Sequence, residues 1–359
     1  MNENELLTNI CEFYPIKITR AFDNDKKAIT ALEIIGKELI ELFNFFEPAH
    51  FKGKFFVIKN LDDNFILPEK DGQLITLNKD ILLNKNNDDI IIQVFNDRNL
   101  FLWEGIDVSD FLTAEKTLIY KFENDKEFFI ANKEEINITE HSYGSRFSNE
   151  FWELDSILNK YKNSKIRKSS CPIFNKAWFD KNRIFFKGGG KGIPEDFMQQ
   201  SLKNFLDDLE IFKGEIGQFE PAREHILGAS KPVDIIVTWG KSNRIALIEI
   251  KWLGKSKNKT GKIKSTHTNS RANEGCSQLK DYFELAKTDY PNKIIKCYLV
   301  VIDGRRWQTN ETTQTISLCN GMHYSNKDLE INADKKYWET YPNMEKPTRM
   351  FVEPICENN

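Results

Sequence analysis

The apolar residues near the start of the chain are spaced as in an amphipathic helix. Between residues 26 and 47 they recur at helical spacing, from Ile29 to Leu42. Such spacing gives one apolar and one polar face, and it therefore predicts a helix that packs against a core.

From about residue 51 to 130 the pattern changes to short apolar runs separated by polar turns, which predicts antiparallel strands. The runs lie at 55–58, 89–95 and 99–103. Residues 65–77 predict a hairpin that turns at Asp71-Gly72, a pair that favours tight turns. We therefore expect residues 1–150 to form an α+β domain, and its sequence contains no recognisable catalytic constellation.

Helical and strand patterns alternate after residue 150. Residues 149–163 predict a short helix, and the basic stretch 164–192, which ends in FKGGGKG, predicts a flexible connection. The glycines do not form a phosphate loop, because Lys191 is followed by Gly192 and not by Ser or Thr. Residues 151–190 are therefore expected to be a helix and a linker.

Residues 191–359 have the clearest periodicity. A helix is predicted from Pro194, with acidic residues in its first turn. It is followed by two strands joined by four polar residues, which predict a hairpin, then by a second helix and a buried strand. These five segments are 194–210, 232–239, 244–253, 274–287 and 293–303. Their order predicts an α/β domain with helices on a mixed sheet.

Composition limits the class of protein. The chain has 359 residues, 40% hydrophobic and 29% charged, which suits two folded domains. It contains no run of eighteen apolar residues, and its first residues, MNENELL, do not resemble a secretion signal, so no membrane partner is expected. Its 6 cysteines include no C-x-x-C pair, which favours buried free thiols in a cytoplasmic protein.

Charge is distributed unevenly between the two halves. Residues 1–150 carry 17 Lys and Arg against 28 Asp and Glu, a balance of −11, whereas residues 151–359 carry 34 against 26, a balance of +8. The two balances add to the net charge of −3. A basic half indicates a polyanionic partner for that half only.

Two charged residues interrupt the apolar strand 244–253. Side chains alternate between the faces of a strand, so Glu249 and Lys251 share one face. Across the predicted hairpin, Asp234 falls close to Glu249. Burying an unpaired charge costs roughly several kcal/mol, so these groups need a partner, a metal ion or a solvated cleft. Two carboxylates and an amine together predict a Mg²⁺ pocket; the alternative is a surface ion pair on a strand exposed on both faces.

The motif resembles that of the PD-(D/E)XK nuclease superfamily. Pro232-Val-Asp234 is followed, after fourteen residues, by Glu249-Ile-Lys251, the only E-x-K in the chain. The resemblance covers about residues 190–305. It implies a restriction-endonuclease-like fold, and it implies metal binding by Asp234, Glu249 and the carbonyl of Ile250.

The same resemblance extends to both neighbouring helices. Glu195 takes the place of an acidic residue that completes the metal site, although Glu210, Glu220 and Glu224 remain alternatives. Gln278 and Tyr282 match the Q-x-x-x-Y element of RecB-like members and lie one helical turn apart. The implied set of catalytic residues is Asp234, Glu249, Lys251, Glu195, Gln278 and Tyr282.

The implied chemistry is metal-assisted hydrolysis of a phosphodiester bond. Mg²⁺, or Mn²⁺ in its place, would activate water and neutralise charge on the phosphate. Lys251 would orient or help deprotonate the attacking water and stabilise the developing charge.

A basic segment follows the motif. No acidic residue occurs from Trp252 to Asn273, and the segment predicts a flexible clamp for nucleic-acid phosphates, with a solvated loop as the alternative. The candidate binding residues are Lys255, Lys257, Lys259, Lys262, Lys264 and Arg271. Arg305, Arg306 and Trp307 either extend this surface or pack at the edge of the core.

The sequence therefore predicts a Mg²⁺-dependent DNA endonuclease, with double-stranded DNA as the expected partner and restriction or anti-phage defence as the expected setting. A ribonuclease, a nuclease that needs a partner protein, and a non-cleaving nucleic-acid-binding protein are the alternatives. Residues 1–150 are expected to serve regulation or assembly, including formation of a homo-oligomer.

Overall fold

A computed structural model of the chain describes residues 14–45, 47, 53–66, 73–77, 82, 89–104, 108–112, 114–124, 126–137, 145, 147–148, 150–189, 194–213, 219–227, 231–239 and 242–357. For residues 73, 74, 104, 110, 137, 209–213, 219–226 and 231 it describes the backbone alone. The chain divides into two compact units, Met1–Trp152 and Glu153–Asn359. The boundary lies close to the one predicted at residue 150.

In its described residues, the first unit combines three helices with a seven-stranded sheet. Its elements are α1 (Pro15–Ala21), α2 (Lys27–Leu42), β1 (Phe55–Asn60), β2 (Gln73–Thr76), β3 (Ile90–Val94), β4 (Leu100–Glu104), α3 (Ser109–Leu112), β5 (Thr117–Glu123), β6 (Lys126–Ala131) and β7 (Glu134–Asn137). The strand order is β2-β4-β3-β1-β5-β6-β7. Helix α2 corresponds to the predicted helix, and its apolar face is buried in the core of this unit.

The sheet of the first unit is mixed, which corrects the prediction of antiparallel strands alone. Strand β1 is antiparallel to β5 but parallel to β3, with Phe55 opposite Ile90. Local patterns predict strands but do not report the direction of a partner that is distant in sequence. The hairpin predicted at Asp71-Gly72 lies outside the described residues, and β2 pairs with β4.

The second unit is a mixed α/β structure. Its helices are α4 (Glu150–Tyr161, which begins just before the unit boundary), α5 (Pro172–Asn175), α6 (Glu195–Lys213), α7 (Asn269–Asp289) and α8 (Leu318–Met322). A π-helical turn spans Lys162–Ile166. Its strands are β8 (Phe186–Lys187), β9 (Phe219–Leu227), β10 (Lys231–Trp239), β11 (Arg244–Lys257), β12 (Ile263–His267), β13 (Ile294–Asp303) and β14 (Thr348–Phe351).

The second sheet has the strand order β14-β13-β11-β10-β9. Strands β12 and β8 pair with the C-terminal end of β11. β10 and β11 form the predicted antiparallel hairpin, whereas β11 and β13 run parallel and are connected through α7. Every residue of β13 is buried, as its apolar sequence predicts. Helix α7 packs its apolar face, including Leu279 and Phe283, on this sheet.

Two segments predicted to be flexible have regular structure. Within 164–189, α5 and β8 form, and β8 pairs with β11 with Phe186 fully buried, so the described part of this stretch belongs to the fold of the second unit. The basic segment after the motif forms the β11–β12 hairpin, with Gly254 opposite His267. Strand pairing satisfies the backbone hydrogen bonds of both segments, which local composition does not reveal.

No helix in the described parts of the chain is both long enough and apolar enough to cross a lipid bilayer.

Candidate active site

The β10–β11 hairpin brings the two carboxylates of the motif together. Ile235 pairs with Ile248, so the next pair of positions along the hairpin, away from its turn, is Asp234 and Glu249. Glu249 and Lys251 lie on the same face of β11 and are 1% and 3% exposed. The strand is held between β10 and β13 on either side, which fixes the backbone of the motif.

Helix α6 supplies the third carboxylate, that of Glu195 in its first turn. One carboxylate oxygen from each of Glu195, Asp234 and Glu249 lies within 4.8 Å of the other two, and these residues form the one such acidic or metal-ligating group among the described residues. We call these three residues the carboxylate cluster. The other upstream candidates, Glu210, Glu220 and Glu224, have side chains outside the described set.

Asp234 is held by two hydrogen bonds. Its Oδ1 accepts from Gln199 Nε2 at 2.6 Å, and its Oδ2 accepts from the backbone N–H of Ile250 at 2.6 Å. Ile250, predicted as a ligand through its carbonyl, thus also anchors the cluster through its amide. Gln199 was not predicted, although its position one helical turn after Glu195 is the signal that could have identified it.

Two cations neutralise part of the cluster. The ammonium of Lys251 contacts Glu249 Oε1 and lies 3.3 Å from Glu195 Oε1. Arg271, in the first turn of α7, lies 3.3 Å from Glu195 Oε2 and 2.9 Å from Glu274 Oε2. Glu195 is therefore shared by both cations. Three carboxylates against two cations leave a net negative charge in the cluster.

The remaining negative charge is poorly solvated. Glu249 Oε2 is buried and has no hydrogen-bond partner among the described atoms. Burial raises the pKa of Asp234 to about 8, helped by the charge of Glu249, and burial likewise raises the pKa of Glu249. Both carboxyls therefore favour a proton, or an equivalent cation, at this position.

The residues fit a divalent metal ion on this basis. Mg²⁺ prefers oxygen ligands, the cluster provides three carboxylates, and the unpartnered Glu249 Oε2 is the kind of acceptor that an ion would satisfy. Burial lowers the pKa of Lys251, but the nearby carboxylates, led by Glu249, outweigh this effect and raise it. Lys251 is therefore a charged donor beside the cluster.

Helix α7 carries both residues of the Q-x-x-x-Y element and places Tyr282 near the cluster. Burial raises the pKa of Tyr282, and the charges of Glu249 and Asp234 raise it further. Gln278 Oε1 is buried without a described partner. Gly275 precedes Gln278 and Tyr282 on α7. A Cβ at this position would lie 2.9 Å from Lys251 Cγ. Glycine thus lets α7 approach the lysine closely.

The six basic residues predicted to bind nucleic acid occupy four kinds of position. Lys259, Lys262 and Lys264 are exposed on the β11–β12 hairpin. Arg271 pairs with Glu195 of the carboxylate cluster, and the Lys255 ammonium donates to the carbonyl of Thr309. Lys257 does not fit the prediction of a solvent-facing clamp: it is 6% exposed, and its ammonium lies 3.8 Å from the centre of the Phe185 ring. Strand pairing with β8 turns it inward.

Comparison of the chain with protein-family profiles, with curated proteins and with solved structures gave no match. The functional assignment therefore depends on the residues and geometry of the site itself.

Proposed function

We propose that the second unit is a Mg²⁺-dependent nuclease of the PD-(D/E)XK kind, with the carboxylate cluster and Lys251 as its active site. The observation that carries the proposal is the convergence of Glu195, Asp234 and Glu249 within 4.8 Å, with the Lys251 ammonium in contact with Glu249. Balanced structural ion pairs would need one acid for each cation. Here three buried or half-buried acids converge on two cations, Lys251 and Arg271.

The surrounding fold supports the proposal. Helix α6, strands β9 to β11, helix α7 and strand β13 follow one another along the chain and give a mixed sheet flanked by helices. This is the arrangement that the resemblance to restriction endonucleases implies. The motif lies on the central strand β11 and its neighbour β10, and residues from both helices contact or approach it.

In this proposal Asp234 and Glu249 hold the ion, Glu195 completes the site, and the carbonyl of Ile250 is a further ligand. A bound Mg²⁺ would supply charge neutralisation for the scissile phosphate and a more acidic water. Gln199 and the Ile250 amide hold the Asp234 carboxylate in place. Lys251, protonated beside the cluster, orients the attacking water and donates to the phosphate oxygen as charge develops there.

The proposed substrate is DNA, with the duplex as the first expectation. The exposed lysines 259, 262 and 264 follow the motif strand directly and would contact backbone phosphates, which position a substrate without reading its sequence. RNA is the second candidate substrate, because phosphate contacts of this kind do not distinguish the two. The first unit is proposed to regulate or assemble the nuclease, for example through a homo-oligomer, in restriction or anti-phage defence.

The proposal is tested by incubating the full chain with supercoiled, linear and single-stranded DNA and with RNA, in Mg²⁺, Mn²⁺ or EDTA. We expect metal-dependent cleavage by the wild type and by the control Lys346→Met, whose lysine is exposed elsewhere on the second unit. Lys251→Met and Glu249→Gln should lose cleavage by a factor of about 10² or more.

Two results contradict the proposal. Undiminished metal-dependent cleavage by Lys251→Met or Glu249→Gln excludes this cluster as the active site. Nucleic-acid binding by the wild type without cleavage of any substrate, in either metal, favours the non-cleaving binding protein.

A further inference from the structure

A cavity lined mainly by polar and basic residues lies where β11 and β13 emerge from the sheet, beyond the carboxylate cluster. Its volume is about 80 Å³. It is formed by the end of β11, the end of β12, the start of α7 and the segment after β13. The residues used in the argument are Lys255, Thr266, Thr268, Arg305, Arg306 and Tyr324. None of these belongs to the carboxylate cluster or contacts it.

The lining of this cavity is cationic. Lys255, Arg305 and Arg306 line it, and the described lining contains no carboxylate. Asp303, which is fully buried, pairs with Arg305 and with Arg349, each at 2.7 Å. Asp303 is thus shared by two cations, whereas Lys255 and Arg306 donate to backbone carbonyls, so the charged side chains that line the cavity itself are all basic.

The two arginines have different roles in the cavity. Arg306 is 6% exposed and donates to the carbonyls of Arg183, Arg305 and Val352, so it contributes fixed charge. Arg305 is oriented by Asp303 and stacks on the Tyr324 ring at 4.6 Å.

Lys255 is the adaptable donor. Its ammonium has three hydrogens, and one of them bonds to the carbonyl of Thr309. Thr266 and Thr268 add hydroxyl groups to the lining, and the Thr268 hydroxyl lies 3.1 Å from that of Ser270 on α7.

Two glycines shape the cavity. Gly254 has φ +138°, a conformation that favours glycine, and a Cβ there would lie 3.1 Å from the carbonyl oxygen of Gly304. A Cβ on Gly304 would lie 2.6 Å from Phe186. Gly254 thus lets β11 pass close to the backbone of Gly304, and Gly304 in turn leaves room for the Phe186 ring.

Size and charge define the ligand class. At about 80 Å³, the cavity has room for a small group such as one tetrahedral oxyanion. Cationic donors with hydroxyls favour a phosphate group. A phosphomonoester carries nearly two charges at neutral pH and suits the lining better than a diester, which carries one.

An exposed aromatic side chain lies next to the cavity. Trp307 is 42% exposed and stacks on His323 with ring centres 4.3 Å apart. It is 6.5 Å from the ring of Tyr324, which lines the cavity. Aromatic faces of this kind stack with nucleic-acid bases, whatever the base.

We propose that this cavity binds the terminal phosphate of a nucleic-acid strand, with the adjoining base stacked on Trp307. Phosphate binding stands independently of the proposed nuclease function. A role of the phosphate site in cleavage rests on the proposed nuclease function. Lys251 and Lys255 are four residues apart on β11, at most about 13 Å, so a captured strand end would lie at a short fixed distance from the carboxylate cluster.

The test uses the full-length protein in EDTA and measures fluorescence anisotropy with labelled single-stranded oligonucleotides that carry a 5′-phosphate, a 3′-phosphate or hydroxyl ends. We expect at least tenfold tighter binding of one phosphorylated strand, and competition by inorganic phosphate. Lys255→Met and Thr266→Asp should remove the preference, whereas Lys346→Met should keep it. Trp307→Ala should weaken binding of all strands by roughly 5- to 150-fold, the loss of one stacked base.

Equal binding of phosphorylated and hydroxyl-ended strands overturns the proposal, and so does competition by inorganic phosphate without any preference for a phosphorylated end. Persistence of the preference in Lys255→Met and Thr266→Asp also overturns it, because the phosphate must then bind elsewhere. Asp234→Asn should lose cleavage and keep the preference, so failure of the nuclease assignment and failure of the phosphate site are separate results.

Discussion

Replacing Asp234 by Asn tests whether the carboxylate cluster holds a metal ion, without relying on cleavage. The side chain keeps its shape, and Asn Oδ1 still accepts the hydrogen bond from the Ile250 amide that Asp234 Oδ2 now accepts at 2.6 Å. The amide of Gln199 would need to turn its carbonyl toward the new NH₂ group. The substitution therefore removes one ionisable ligand from the cluster and keeps the size of the side chain.

The expected effect follows from linkage between binding and folding. A ligand that binds only the folded state at ten times its Kd stabilises that state by about 1.4 kcal/mol. For a unit of about 200 residues, each kcal/mol raises Tm by about 2–4 °C. Saturating Mg²⁺ or Mn²⁺ should therefore raise the Tm of the wild-type second unit, Glu153–Asn359, by about 3–6 °C. Asp234→Asn should lose most of this rise.

The assay is thermal unfolding followed by tryptophan fluorescence, with and without metal. Five of the 7 tryptophans, at 178, 239, 252, 307 and 338, lie in the second unit, so the signal mainly follows its unfolding. Asp328→Asn, an exposed acid in the same unit, is the matched control and should respond to metal as the wild type does. An undiminished metal response in Asp234→Asn would refute the assignment of this carboxylate as a ligand.

The same experiment predicts a pH dependence. Burial raises the pKa of Asp234 to about 8, so below that pH a metal ion must displace a proton from the cluster. The metal-induced rise in Tm should therefore increase from pH 6 to pH 9. The metal-free protein should behave in the opposite way: between about pH 4 and 8 the folded state holds a proton that the unfolded state has lost, so stability falls as pH rises through this range. A metal response that is constant over this range would contradict the assignment of the raised pKa to Asp234.

Three further predictions follow from the second unit. Gly275→Ala should reduce cleavage by about a hundredfold, because the new Cβ would lie 2.9 Å from the Lys251 side chain and displace it. Ser277→Ala on the same helix is the control and should not reduce cleavage. Unchanged cleavage by Gly275→Ala would show that α7 yields without moving the lysine. A thiol reagent at pH 8 should label exposed Cys319 quickly and Cys276 only on unfolding. Burial raises the pKa of Cys276 to about 11, so only about a thousandth of it is thiolate at pH 8. Mass spectrometry after digestion identifies the labelled thiol, and rapid labelling of Cys276 would indicate that α7 opens. Replacing the three exposed hairpin lysines by Ala should reduce the slope of log binding constant against log salt by about 3 on duplex DNA, and an unchanged slope would exclude them as phosphate contacts. These lysines are Lys259, Lys262 and Lys264.

Much of the site was predictable from local sequence because strand periodicity decides which side chains share a face. The alternation along β11 places Glu249 with Lys251, and the short polar connection before it brings Asp234 opposite. The start of α6 was also predictable from Pro194 and the acids that follow it. These features depend on neighbours within a few residues, or on one hairpin register.

Other features depend on contacts between residues far apart in the chain. Arg271 was predicted to bind nucleic acid, but its position in the fold brings it to Glu195, 76 residues away. The bond from Gln199 to Asp234 and the inward turn of Lys257 have the same origin. Composition identified these residues as polar or basic, and only the packing of helices on the sheet decided which of them face solvent.

The sequence by itself determined the helices, the motif strand and the charged residues that require a partner, because backbone periodicity and the cost of burying charge act locally. The tertiary structure alone decided the parallel pairing of β1 with β3, the order of the second sheet, the convergence of Glu195 on the motif and the cationic cavity beside Gly254 and Gly304. Each of these requires segments that are distant in sequence to meet, and strand direction and helix placement are set by the packing of the whole core.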